Sequence, residues 1–253
     1  MPISWPSTGG RTASLTEKQI AAAGALHATL EQWHATDTAL YRLQQEMPTF
    51  GLEECVLKVA AIDALYGTNV YAKVRAARHA QAIIGSANLS SAGLELVESL
   101  ARVPPAEGGR PQRHLSFASK FAHFFIDAER FPIYDSYAQR IVSLHLGPSA
   151  VRDRGRPYEA FVRNLDRLKS ESGLGCTYRE LDHYLWIAGL YRAHLGGKRE
   201  LNAELRNLFL RPSTEQRVLL ETLRAANDST VARRGPQQPV QPLVQPTGRN
   251  EPG

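Results

Sequence analysis

Lys120 stands among Phe117, Phe121, Phe124 and Phe125, and Asp135 follows in the same stretch, just before Ser136. Desolvation by apolar neighbours disfavours the ammonium form of a lysine. More of it is then the free amine, which can attack an anomeric carbon and form a Schiff base. A carboxylate nearby stabilises the cationic sugar and orients the nucleophile. Together the two groups suit cleavage of an N-glycosidic bond. The chain is long enough to bring them together: a helix from Lys120 to Asp127 advances about 10 Å, and the segment from Ala128 to Tyr134 extends at most about 25 Å, so it can return. Two ordinary roles stand beside this one. Lys120 can lie along apolar surface with its head in water, and Asp135 can cap the helix that begins at Ser136.

Other chemistries lack their groups. There is no G-x-x-x-x-G-K-[ST] phosphate loop, G-x-S-x-G elbow or H-E-x-x-H zinc helix. The eight histidines are dispersed; His27 and His34 can share a helix face but have no adjacent acidic ligand. No metal, redox group or other cofactor is expected. The two cysteines, Cys55 and Cys176, lack C-x-x-C partners and point to a reducing cytoplasm.

The elements that must position Lys120 and Asp135 read as helices. Ser14-Leu-Thr-Glu17 has capping-box spacing, and Ile20, Ala23, Leu26, Leu30 and Trp33 recur at helical intervals behind it. Further helices are predicted over about 36–46, 52–66 with Gly67 as its stop, 69–84 and 91–103 before Pro104-Pro105. Helix resumes near Leu115 and runs through Phe125, breaks over 127–132, and restarts beside Asp135 to reach Leu146. Thr177-Tyr-Arg-Glu180 and Ser213-Thr-Glu-Gln216 mark later starts, with apolar helical spacing over 181–194 and 198–210. No period-2 strand, hairpin turn or fixed repeat is found. The expected fold is all-α: a flexible leader over 1–13, a helical domain over 14–226 forming one body or two lobes around a cleft, and a disordered Pro/Gln-rich tail over 227–253.

The pattern S-K-F-x-H-F followed by F-P-I-Y-D-S resembles the core of bacterial proteins with the 8-oxoguanine DNA glycosylase fold, a branch of the helix-hairpin-helix DNA glycosylase superfamily. The resemblance extends less sharply to Ala64-Leu-Tyr-Gly-Thr-Asn69 and to Tyr178-Arg-Glu-Leu-Asp-His-Tyr-Leu-Trp186, covering about residues 52–190. It implies a glycosylase-like helical fold, double-stranded DNA carrying a damaged or modified base as partner, Lys120 as Schiff-base nucleophile and Asp135 as assisting carboxylate. Lyase activity at the abasic site can accompany base removal. Proteins of this type are similar to some found beside bacterial antiviral genes, which leaves oxidised guanine and a modified phage base both open as substrate.

One departure concerns the hairpin. The superfamily's L-P-G-[VI]-G lets backbone amides approach a phosphate, whereas this chain reads His114-Leu-Ser-Phe-Ala-Ser119 without glycine. The loop carrying Arg110 and Arg113 is the alternative source of DNA-backbone contacts. A base extruded from the stack needs flat apolar walls and an edge reader. Tyr134, Trp186 and Asp182 are the candidates, with Tyr184 beside them, although aromatics at helical spacing more often serve the core. A contrasting reading is a helical nucleic-acid-binding or protein-interaction module that kept this fold without catalysis.

Composition is compatible with either. The chain has 253 residues, 30 Lys plus Arg against 25 Asp plus Glu, a formal charge of +5 and a pI near 9.3. That balance permits a polyanionic partner without naming one. No stretch approaches the roughly 20 apolar residues of a membrane span, so no membrane partner is expected.

Overall fold

The computed structural model describes residues 14–105, 109, 111–147, 150–197 and 200–224. The leader over 1–13, the tail over 227–253 and Arg110 lie outside them. Among the described residues the protein is all-helical, with eleven helices and no strand. They are α1 Glu17–Ala28, α2 Glu31–Glu46, α3 Leu52–Tyr66, α4 Lys73–Gly85, α5 Glu95–Leu100, α6 Leu115–Phe125, α7 Ser136–Leu146, α8 Pro157–Ser172, α9 Tyr178–Leu195, α10 Ala203–Leu210 and α11 Thr214–Arg224. None is long and apolar enough to cross a membrane.

Several starts differ from the sequence reading, each for a local reason. The first capping box is formed by Thr16 and Gln19, not by Ser14 and Glu17. The residues on either side of Thr16 are engaged elsewhere: Leu15 is buried and its N–H donates to Ser172 Oγ at 3.2 Å, while Glu17 Oε1 accepts from Gly175 N at 2.8 Å. α2 begins at Glu31 rather than near Thr36, directly after buried Leu30. α4 begins later than Asn69, because Asp63 captures Thr68 Oγ1 and Val70 N and Asn69 sits at φ +58°. α5 covers only part of 91–103. α8 is absent from the sequence reading altogether. Its first turn is capped from afar, Glu98 Oε1 accepting from Tyr158 N at 2.7 Å, with Pro157 at the start where no N–H is missed.

The helices pack in two groups. α2 to α6 form one, with α6 lying against α2, α3 and α5; α1 and α7 to α11 form the other, with α9 lying against α1, α7 and α11. A continuous apolar core joins them, and α1–α2 and α5–α8 contacts close the seam. α7 and α9 approach very closely at one point. A Cβ on Gly189 would lie 2.6 Å from Tyr137 Cβ, so glycine is required there.

Candidate active site

α6 carries the lysine. Its face toward the core, Phe117, Phe121, Phe124 and Phe125, is almost fully buried, and this draws the neighbouring Lys120 inward until it is only 4 % exposed. Lys120 therefore does not reach into bulk water. Its Nζ donates to Ser116 Oγ at 2.9 Å, one turn back, and lies 5.4 Å from the centre of the Tyr66 ring. Burial lowers its pKa, opposed by the charges of Asp135 and Asp182.

The return segment is pinned at three successive places, which explains how Asp135 reaches the same cleft. His123 Nδ1 bonds the Phe131 carbonyl at 3.1 Å, Tyr158 O–H donates to the Pro132 carbonyl at 2.9 Å, and Tyr134 N–H donates to Ser119 Oγ at 2.9 Å. Ser119 is the residue before Lys120, so one hydroxyl ties the approach to Asp135 directly to the lysine's helix. His123 is a second brace: its Nε2 lies 3.0 Å from Tyr41 Oη, and burial holds its pKa down to about 4. The neutral ring fits donation to Phe131 and acceptance from Tyr41. Sequence reading missed Ser119 and His123, although both sit within the S-K-F-x-H-F pattern that drew attention to Lys120.

Asp135 caps α7. Its Oδ1 accepts from Tyr137 N and Ala138 N, both at 2.8 Å, while Oδ2 takes no hydrogen bond among the described residues. The capping role and the cleft-lining position thus coexist in one carboxylate, because the cap occupies a single oxygen.

Lys120, Asp135, Asp182 and Trp186 line one cleft of about 500 Å³ between the two helix groups. Asp182, in the second turn of α9, has a buried Oδ1 without a hydrogen-bond partner among the described residues. Burial raises its pKa well above the ordinary carboxylate value, reinforced by the charge of Asp135 and opposed by Lys120. The neutral acid can donate one hydrogen bond and accept another. Trp186 meets Trp33 edge-on, with ring centres 4.7 Å apart, and Trp33 packs near Tyr66, giving the cleft flat aromatic surface.

The remaining sequence candidates fall elsewhere. Tyr134 does not line this cleft: its ring packs against Tyr158 and Phe161, and its hydroxyl donates to Gln139 Oε1 at 3.1 Å beside a different cavity. Tyr184 is buried with its hydroxyl 2.8 Å from His145 Nε2, a core role. Arg113 sends Nη1 to the Arg154 carbonyl at 2.9 Å and so braces a neighbouring loop. His114 to Ser119 enter α6 without a glycine turn, His114 N–H being held by the Ala101 carbonyl at 2.9 Å.

The structure also gathers His27, Asp37 and His183, whose ligand atoms lie within 4.8 Å of one another at the cleft's edge. Sequence reading paired His27 with His34 and could not see a partner so far along the chain. The His27 and His183 rings are stacked 3.8 Å apart at 11°. Each imidazole binds a metal in its own ring plane, and two nearly parallel planes cannot share one ion, so this arrangement does not fit a resident metal without a ring turning. Asp37 is instead held by Tyr66 O–H at 2.5 Å, and burial lowers the pKa of His27 and brings that of His183 down to about 3.

The family model HI_0787_N, described as an N-terminal domain, matches residues 16–129. The match takes in α1 to α6 with Lys120 and stops before Asp135 and Asp182. No curated protein and no solved structure matches the chain.

Proposed function

We propose that this protein is a DNA glycosylase with AP-lyase activity, acting on a damaged or modified base. The carrying observation is that Lys120 and Asp135 line one cleft, the lysine buried with its charge disfavoured and the carboxylate with one oxygen uncommitted. The neutral Lys120 amine attacks C1′ of the target nucleoside. As the N–C bond forms, the glycosidic bond breaks and its electron pair leaves with the base, which takes up a proton; Asp135 stabilises the positive charge developing on the sugar. The proton that attack leaves on the lysine nitrogen passes to O4′ as the C1′–O4′ bond breaks, and the ring opens to the Schiff base. Removal of a C2′ proton then expels the 3′ phosphate, and water releases the lysine. In this reading Trp186 and Trp33 stack on the extruded base and Asp182 pairs with its edge, supported by their shared cleft and by the unpartnered Asp182 Oδ1.

The second reading is a helical nucleic-acid-binding or protein-interaction module without chemistry, favoured by the glycine-free entry to α6. Borohydride trapping separates the two. On duplexes bearing an abasic site or a panel of oxidised, deaminated and glycosylated bases, wild type should form a covalent adduct and Lys120→Gln none. Absence of both adduct and base release in wild type across the panel would leave the binding module.

A further inference from the structure

Beyond the cleft, a groove of about 890 Å³ lies on the far side of Tyr134, bounded by α7, α8, α9 and the loop over 150–156. Four arginines line it: Arg140 on α7, Arg192 on α9, and Arg152 and Arg154 on the loop. All four are exposed, and none makes an ion pair among the described residues. The one carboxylate in the lining, Asp153, is turned to the chain itself: its Oδ1 accepts from Gly155 N at 2.8 Å and Arg156 N at 3.1 Å, and its Oδ2 faces Arg163 at 3.9 Å. The groove is therefore strongly cationic, and with guanidinium groups alone.

It is also held ready. Buried Asn164 clamps the loop from both sides of one residue, accepting from Val151 N at 2.8 Å and donating to Val151 O at 2.9 Å. Arg113 anchors it again at the Arg154 carbonyl. On the opposite wall, the Gly189–Tyr137 contact fixes α7 against α9, one turn from Arg140 and Arg192. Arginines on braced elements lose less freedom on binding than arginines on a loose loop. Finally, the groove adjoins the cleft: Ser136, next to Asp135, lines both.

We infer that this arginine groove binds the sugar-phosphate backbone of a nucleic acid and leads the strand to the Lys120 cleft. The inference rests on the glycosylase reading for the identity of the polymer, but its binding step needs no chemistry. Guanidinium forks match phosphate oxygens in pairs, and backbone contacts of this kind position a duplex without reading its sequence. It also replaces the loop of Arg110 and Arg113 as the principal backbone surface, giving Arg113 the part of a brace.

The test is fluorescence anisotropy with full-length protein and a labelled duplex containing a tetrahydrofuran abasic-site analogue, over a salt series. Two variants probe the two walls, Arg152→Ala/Arg154→Ala and Arg140→Ala/Arg192→Ala. Arg75→Ala/Arg78→Ala on α4 removes the same charge away from the groove, and circular dichroism checks that each variant is folded. Each groove pair should lower the slope of log K against log salt by about 1 per arginine and weaken binding at 0.1 M salt by roughly five- to tenfold per arginine. The α4 pair should bind as wild type. Unchanged slope in either groove pair, an equal loss in the α4 pair, or no duplex binding by wild type would overturn the groove. Failure of the glycosylase reading looks different, since it removes the trapped Lys120 adduct while leaving these slopes intact.

Discussion

Two lysines of this protein are buried among phenylalanines, and their surroundings differ in one respect that matters for chemistry. Lys58, in α3, is fully buried; its Nζ donates to the Thr49 carbonyl at 2.7 Å and lies 4.0 Å from the Phe50 ring centre and 5.5 Å from that of Phe125. Lys120, in α6, has a hydroxyl partner and opens on the cleft that Asp135 and Asp182 also line. Burial lowers the pKa of both, that of Lys58 to about 8. A lowered pKa is therefore not what distinguishes the proposed nucleophile. Lys58 lines neither the cleft nor the groove, whereas Lys120 borders the cleft with Asp135 in the same lining.

That contrast can be broken at several points. The largest expected effect is on covalent trapping. Lys120→Gln should lower adduct formation at an abasic site by about a thousandfold or more, because the reacting atom itself is gone. Lys58→Gln should stay within about threefold of wild type. Equal losses in the two variants would mean that Lys120 acts only as part of the folded core.

Stability should rank the two lysines the other way. Lys58→Ala leaves a hole where a long stem packs between aromatic rings and strips the Thr49 carbonyl of its partner, and should cost about 2–4 kcal/mol in urea unfolding. Lys120→Met keeps the volume and removes a charge that burial disfavours, so it should be neutral or stabilising at pH 7. The sign follows from the lowered pKa: between the folded value and the unfolded value of about 10.4, the unfolded chain binds the extra proton, which penalises the folded state. The advantage of Lys120→Met should shrink as pH rises through that window. An advantage that grows with pH would contradict a lysine held partly neutral.

The smallest effect concerns Asp182. Its folded pKa is raised, so the unfolded state ionises first as pH rises above about 3.9, and the folded state is progressively penalised until its own pKa is passed. Asp182→Asn removes that penalty. Its Tm should exceed that of wild type by a few degrees at pH 7, with the difference closing as pH falls toward 4. A difference that widens on acidification would show that Asp182 is held as a carboxylate, paired with Lys120 instead of sitting beside it as a neutral acid.

Local signals in the amino-acid sequence determined most of the helices. Gly67 ends α3 in a left-handed conformation, Thr177 with Glu180 opens α9, Ser213 with Gln216 opens α11, and Asp135 caps α7, each through bonds spanning a few residues. Lys120 and Asp135 stood out for the same reason, a charged group inside an aromatic run followed by a capping acid. Where the deciding contact was distant, local reading failed. α8 depends on a cap from Glu98, and α1 is capped by Thr16 rather than Ser14, with Leu15 held at Ser172. Tertiary structure alone decided that Tyr134 turns away from the cleft while Asp182 and Trp186 enter it, that His27 stacks on His183, and that four arginines from two helices and a loop share one groove. A helix can be read from the turn that holds its hydrogen bonds. Which side chains share a cavity is set by how helices far apart in the chain pack against one another.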